Sequence, residues 1–384
     1  MKIKKIACLI AAAVMAFSLA ACGGSGSGGN SGSAGGNTGA ADSGSASGDE
    51  ATMDFEGQTL TVANWSDYAT DQEYGYAVFE EMYNCHVEFY DITSYPELLQ
   101  TMLNGGQADI DVVNINPMYI QQYYGEGVIT PIDTDRISCY GELREDITGI
   151  EDVLTDDGQV LAVPWIWGTT SMFYNADEVD GSQVDSWADL WDPQYAGKVA
   201  FFDDYTNCVM IAALVNGEED PYSADLDLDA VRAKLMELKP NIRTIWSTYD
   251  DFMGAITTGQ VVIGNAWPSM ITELRNQGMN IEYIYPEEGT IGWADYWCLV
   301  DGSEESDLAM AWIDFCTNHD FQYAMAVEEQ PHLPANQAVM DTLDDETLQN
   351  LWMLTPPEKM FMSLYMDNDT LQSWIDLWTE VQAS

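Results

Sequence analysis

Tryptophan, tyrosine and aspartate recur together in Trp65-Ser66-Asp67-Tyr68, Asp203-Asp204-Tyr205 and Trp293-Ala294-Asp295, and Asn116-Pro117-Met118-Tyr119 and Ala266-Trp267 add further aromatic positions. An indole face attracts a cation by about 0.5–2 kcal/mol, and a charge-assisted hydrogen bond to a desolvated carboxylate adds roughly 1.5–3. Rings alone also stack on sugars, so it is Asp204 and Asp295 that favour a positively charged guest. Singly, each residue has a plainer reading: a tryptophan is partly buried core, and an aspartate after a strand caps a turn or helix. Their recurrence at the ends of successive strands is what points to a common site.

Those strands are short β-branched or aromatic runs. Residues 59–63, 86–91 and 109–115 read as strands, 74–83 and 95–103 as helices, and Pro117 opens another helix at its first turn, a position that tolerates proline. A second set follows, with strands at 161–164, 170–174, 199–202 and 261–265 and helices at 209–215, 228–238 and 249–258. Helices at 306–318, 320–329 and 370–383 close the chain. Alternation of this kind predicts an α/β fold of right-handed βαβ units around parallel-rich sheets. Open α/β sheets bind ligands at the carboxyl ends of their strands, which is where the aromatic and acidic segments fall. No repeat with a period of about 20–50 residues is visible, which excludes solenoids and propellers.

The 384 residues leave room for two domains, and 46% hydrophobic residues supply their cores. Lys and Arg total 12 against 64 acids, a formal charge of −52, which disfavours nucleic acid and anionic membrane surfaces as partners. Residues 1–21 read as a secretory leader, from Lys2, Lys4 and Lys5 through an apolar stretch to Leu19-Ala20-Ala21. With Cys22 that ending resembles the bacterial lipobox, which implies cleavage before Cys22 and lipidation of its sulfur. Residues 23–52, rich in Gly, Ser and Ala, then form a tether with an end-to-end distance of roughly 30 Å. No later stretch has the ~18 apolar residues of a membrane span, so lipid is the expected anchor, at the outer face of the cell membrane. Cys85, Cys139, Cys208, Cys298 and Cys316 are odd in number and widely spaced, fitting neither a disulfide framework nor a metal site; buried thiols are expected.

Catalytic patterns are missing. There is no His-Glu-x-x-His and no Walker loop, and His86, His319 and His332 are scattered. Asp225-Leu226-Asp227-Leu228-Asp229 lacks the glycine of a calcium loop and reads as capping of the next helix. Gly24-Ser25-Gly26-Ser27-Gly28 is low complexity, with no strand before it. A secreted glycosidase using two of the many carboxylates is the alternative from a different class.

Leu60-Thr61-Val62-Ala63-Asn64-Trp65-Ser66-Asp67-Tyr68, Val163-Pro164-Trp165-Ile166-Trp167-Gly168, Ser186-Trp187-Ala188-Asp189-Leu190-Trp191-Asp192-Pro193 and Leu238-Lys239-Pro240-Asn241-Ile242 closely resemble segments of the bacterial spermidine/putrescine-binding proteins of ABC importers. The resemblance runs from about residue 54 to 338. It implies a two-lobed periplasmic-binding fold of type II with two hinge crossings: lobe one at 55–168 and 293–340, lobe two at 169–292 and 341–384. It further implies a lipid-anchored, non-enzymatic and cofactor-free monomer. Such a protein would capture a linear cationic amine, putrescine or spermidine, and deliver it to an ABC permease. Other solutes in the same role are a mono-cationic amine, an amino acid derivative, a sugar or a metal chelate.

Carried over position by position, the resemblance makes Trp65, Ser66, Asp67 and Tyr68 the first-lobe wall and Asp204 the second-lobe carboxylate. Trp267 and Trp293 become ring platforms and Asp295 the carboxylate beside the crossover, with Asn116 a further candidate. The chain departs from the family at four positions. Asn207 stands where spermidine-preferring members have glutamate, and Met270 where putrescine-preferring members have aspartate. Met118 replaces a frequent aromatic residue and His332 a frequent tyrosine. Two neutral anchors leave room for a ligand with fewer positive charges or a different spacing of them.

Overall fold

The computed structural model describes residues 53–66, 68–328 and 331–384. The expected leader, Cys22, the tether and Asp67 lie outside the described residues. The strands are β1 (Thr59–Asn64), β2 (His86–Asp91), β3 (Val112–Ile115), β4 (Ile129–Thr130), β5 (Val163–Asn175), β6 (Val199–Phe202), β7 (Ile242–Trp246), β8 (Ile263–Ala266), β9 (Ile281–Ile284), β10 (Thr290–Val300), β11 (Leu333–Pro334) and β12 (Met360–Met362).

Their order is β2-β1-β3-β10-β5-β8-β6-β7, with β4 and β12 beside β10 and β9 and β11 beside β5. β1 is parallel to both β2 and β3, and β6 is parallel to both β7 and β8, as helical crossovers require. Between these parallel groups run two long antiparallel strands. β5 pairs with β10 from Val163 to Thr170, then with β8 and β9 from Ser171 to Asn175, so one strand passes from the first sheet into the second.

The expected strands 161–164 and 170–174 are one strand, β5: residues 166–169 between them pair with β10, and its centre is the run Gly168-Thr169-Thr170-Ser171. These polar residues bond sideways: Thr169 Oγ1 to the Tyr283 hydroxyl at 2.9 Å and Ser171 Oγ to the Ile284 carbonyl at 2.7 Å. Strand β3 starts later than expected because Gly106–Asp109 forms a 3-10 turn. The helix Tyr205–Val215 starts four residues earlier than its apolar stretch, since Asp204 caps it by accepting from Asn207 N at 2.7 Å. The expected helix at 74–83 opens as a π turn, Glu73–Ala77, and becomes α-helical at Val78–Tyr83.

One core contains Trp165, Trp297, Trp312 and Phe79, with Trp165 stacked on Trp297 at 5.1 Å between centroids. Burying rings of this size removes about 150–250 Å² of surface each, worth roughly 4–6 kcal/mol before conformational entropy is subtracted. Leu343, Leu351 and Met353 join this core. A second core gathers Phe201, Trp187 and helix Tyr205–Val215, and the final helix, Asn368–Ala383, packs on it through Trp374, Leu377, Trp378 and Val381. A third lies around Phe173, Trp246, Phe252 and Met270. Cys208, Cys298 and Cys316 are buried, whereas Cys85 and Cys139 are half-exposed, so burial of all five thiols is not met.

Candidate ligand-binding site

Asp295 lies on β10 next to a break in register: it faces Ile166 on β5, while Tyr296 faces Pro164. Proline offers the ladder no N–H, and the extra residue, Trp165, is taken up as a bulge of the kind that aims side chains near sites. The Asp295 carboxylate is 6% exposed. Its Oδ2 accepts from the Tyr68 hydroxyl at 2.9 Å and its Oδ1 from Asn116 Nδ2 at 3.4 Å. Burial pushes its pKa up, and hydrogen bonds from Tyr68, Asn116, Asn114 and Tyr95 pull it partly back. A carboxylate so enclosed is poorly hydrated and therefore responsive to a cation.

Tyr68 reaches this point on the loop after β1. Asn64 organises the loop, accepting from Trp65 N at 2.9 Å and Asn114 Nδ2 at 2.8 Å and donating to Thr70 Oγ1 at 2.8 Å. Ala69 has a φ of 58°, in the left-handed region disfavoured for a residue with a Cβ, so the side-chain network holds a strained turn just after Tyr68. The Tyr68 ring stands edge-on to Trp165 at 5.3 Å and to His332 at 5.7 Å. Burial pushes His332 down to about 4, which leaves it neutral at pH 7.

An aromatic row connects the two carboxylates. Trp65 donates through Nε1 to the Tyr95 hydroxyl at 3.1 Å, with the rings edge-on at 5.3 Å. Tyr95, which also interacts with Asp295, packs on Tyr119 at 5.0 Å. The Tyr119 hydroxyl meets that of Tyr205 at 3.3 Å, and Tyr205 directly follows Asp204. The Asp204 charge raises the pKa of both tyrosines, although burial is the larger cause.

Asp204 Oδ1 accepts from Asn207 N and Nδ2, both at 2.7 Å. Burial pushes the Asp204 pKa up as well. The Oδ1 of Asn207 is buried and has no partner among the described residues, so a neutral acceptor stands beside this carboxylate.

Trp293, two residues before Asp295 and on the same face of β10, pairs in register with Gly168. A Cβ on Gly168 would stand 2.3 Å from Trp293 Cζ2, so the ring lies flush on β5 only because that residue is glycine. Trp293 Nε1 is buried without a partner among the described residues.

Trp65, Tyr68, Asn116, Asp295 and His332 thus form one group, linked by the row to Asp204 and Asn207. Trp267 and Met270 belong to the third core. Trp267 is half-buried and edge-on to Phe202 at 5.2 Å and Trp246 at 5.3 Å, and Met270 is fully buried. Ser66 is exposed, and Met118 sits in the first turn of helix Pro117–Gly125, where its N donates to Asn116 Oδ1 at 3.2 Å.

Sequence reasoning placed Tyr119 and Tyr205 in its strand-end segments without giving either a role, and overlooked Tyr95, Gly168 and the Asn64–Asn114 pair as site residues. Tyr95 begins the helix after β2, so the strand-end argument that singled out Trp65 applies to it equally. Nothing local marks Gly168. Among the described residues no lysine or arginine joins the group; Arg144 lies 4.0 Å over Trp167 and pairs with Asp146.

The chain matches the spermidine/putrescine-binding periplasmic protein of Escherichia coli with 26% identity over 304 residues, 76% of this chain and 83% of that protein. It matches the putrescine-binding periplasmic protein PotF of the same organism with 23% identity over 352 residues, 86% and 93% of the two chains. Among solved structures, the spermidine/putrescine substrate-binding protein PotD of Streptococcus pneumoniae superposes with a TM-score of 0.71 at 21% identity, covering 85% of this chain and 99% of that one. The expected α/β periplasmic-binding architecture is therefore the observed one. The family model for bacterial extracellular solute-binding proteins covers residues 76–355, and the chain belongs to that family.

Proposed function

We propose that this chain captures a linear amine with cationic ends, of the putrescine and spermidine class, and hands it to an ABC permease. The observation that carries this reading is the buried Asp295 carboxylate inside an aromatic group that, among the described residues, contains no lysine or arginine. A zwitterionic amino acid would bring a carboxylate with no cation to receive it, and His332 is neutral at pH 7. A sugar would leave Asp295 buried and uncompensated, which is unfavourable by several kcal/mol. Asp204, at the far end of the Tyr95–Tyr119–Tyr205 row, supplies the second negative end, and Asn207 offers a neutral oxygen beside it. This arrangement suits a diamine better than a longer, more highly charged amine.

The names of the E. coli relatives support the amine class and a place outside the cytoplasm. No helix among the described residues is long and apolar enough to cross a membrane. Attachment is assigned to lipid on Cys22, with 23–52 as the tether to a monomeric, non-catalytic binding unit. Fatty-acid labelling that survives Cys22→Ala would overturn the anchor.

Thermal-shift measurements with putrescine, spermidine, γ-aminobutyrate and glucose test the ligand class. A ligand at 100 times its Kd stabilises by about 2.7 kcal/mol, a rise of several degrees in Tm. Putrescine is expected to give the largest rise. A response to glucose or γ-aminobutyrate with none to either polyamine would reject the reading.

A further inference from the structure

We propose that Cys139, Glu142 and His319 form a surface site for a divalent transition metal, Zn²⁺ being the first choice. One ligand atom from each residue, the thiol sulfur, a carboxylate oxygen and a ring nitrogen, lies within 4.8 Å of the other two.

The backbone brings them together from distant parts of the chain. Cys139 precedes the 3-10 turn Tyr140–Glu142, and Glu142 N donates to the Cys139 carbonyl at 2.9 Å, which sets residues 139 and 142 on one side of a single turn. His319 is the first residue of helix His319–Val327, whose start is fixed by Asn318 accepting from Phe321 N at 2.9 Å. Its Nε2 lies 2.5 Å from Glu142 Oε2. Supporting groups are in place: Asn336 Nδ2 reaches Glu142 Oε2 at 3.4 Å and the Thr317 carbonyl at 3.1 Å. Ser138 Oγ lies 3.7 Å from Cys139 Sγ and donates to Asp314 Oδ1 at 2.7 Å. Such outer contacts orient metal ligands.

Thiolate, imidazole and carboxylate together select zinc over calcium or magnesium, which prefer all-oxygen sites. Bonds of about 2.0–2.3 Å in a tetrahedron set ligand atoms roughly 3.5 Å apart. Shifts of an ångström or so in side chains exposed by 57% for His319 and 43% for Glu142 reach that spacing. Three protein ligands leave the fourth position to water. The bound ion clamps the 139–142 turn to the junction of helices Ser306–Thr317 and His319–Val327. The site shares no residue with the amine group around Asp295 and does not depend on it.

Cobalt(II) is the probe, added to the full-length protein. Wild type is expected to give the near-ultraviolet thiolate-to-cobalt charge-transfer band, bleached by Zn²⁺, and Cys139→Ser to lose it while the other cysteines remain. Zn²⁺ is expected to raise the Tm of wild type. His319→Ala and Glu142→Gln are each expected to weaken Zn²⁺ binding by at least the roughly 10–100-fold that loss of an outer-shell partner brings. Absence of the charge-transfer band, its persistence in Cys139→Ser, or equal Zn²⁺ affinity in wild type and His319→Ala would overturn the site. Circular dichroism confirms that each variant is folded, and Glu142→Gln, the least disruptive change, decides the matter if another variant is not.

Discussion

The Tyr68 hydroxyl donates to Asp295 Oδ2 at 2.9 Å, joining the loop after the first strand to a residue 227 positions later. This bond does two things. It gives a buried carboxylate one of the partners it needs in the absence of ligand, and it orients the phenol ring so that its edge meets Trp165 and His332. On the proposed reading, a guest ammonium arriving at Asp295 would find an oxygen already positioned by Tyr68.

Asp295→Asn should therefore weaken an amine by about 2–5 kcal/mol, because it removes one side of a desolvated charge pair. Tyr68→Phe keeps the ring and loses only the donor, and its effect should be smaller, roughly 1.5–3 kcal/mol. Calorimetric titration with putrescine measures both. A loss under tenfold for Asp295→Asn would remove this carboxylate from the binding role.

Acid should weaken binding through the same groups. Asp295 and Asp204 both have pKa values raised by burial. A carboxyl raised on folding contributes stability that is fully present below the ordinary carboxylate value near ~3.9 and is lost as pH rises through the folded value. Above that window the empty site holds unfavourable charge, which a bound ammonium compensates. The Tm rise given by putrescine should grow from pH 4 to pH 7. His332 acts in the opposite sense. Its pKa is depressed to about 4, so its contribution is present above the ordinary value of ~6.5 and declines as pH falls through about 4. His332→Gln isolates that part, and a putrescine effect independent of pH in this variant would contradict ionised carboxylates as the anchors.

How far the sequence reveals this arrangement depends on the kind of signal. Trp65, Tyr68 and Asp204 were readable because aromatic and acidic residues at the carboxyl ends of strands are a local pattern, whereas the role of Asp295, in the middle of β10, came from the family resemblance. The β1, β2 and β6 strands were readable from composition and periodicity. β10 was not assigned at all: Thr290–Val300 carries Gly292, Asp295 and two tryptophans, which break the apolar alternation, and it is a strand because β3 and β5 flank it. The bulge at Pro164 beside Asp295, and the complementarity of Gly168 with Trp293, are properties of paired strands that no window along one strand contains.

Gly168→Ala tests that complementarity. The new Cβ would overlap the Trp293 ring, forcing the indole off β5, and overpacking of this sort costs about 1–3 kcal/mol. Tm should fall, and putrescine should bind more weakly than the stability loss alone explains. In a Trp293→Ala background the ring atoms nearest the added methyl are gone, so Gly168→Ala should be nearly neutral there. Equal destabilisation in both backgrounds would show that the clash lies elsewhere.

Tyr119 packs against the first core and Tyr205 against the second, and their hydroxyls meet at 3.3 Å. A neutral hydrogen bond of this kind contributes about 0.5–1.5 kcal/mol, and it exists only while the two cores stand in this relation. Removing it should not unfold either core, since both rings remain to pack. The effect should fall instead on the equilibrium between joined and separated lobes, and hence on any ligand held between them. The double variant Tyr119→Phe, Tyr205→Phe is expected to keep a Tm within a few degrees of wild type and to lose up to roughly tenfold in putrescine affinity. In small-angle scattering it should have a larger radius of gyration without ligand than with it. Each single variant already breaks the bond, so the double should add little to either one. Independent, additive losses from the two substitutions would show that each hydroxyl acts on the ligand directly rather than through the contact between them.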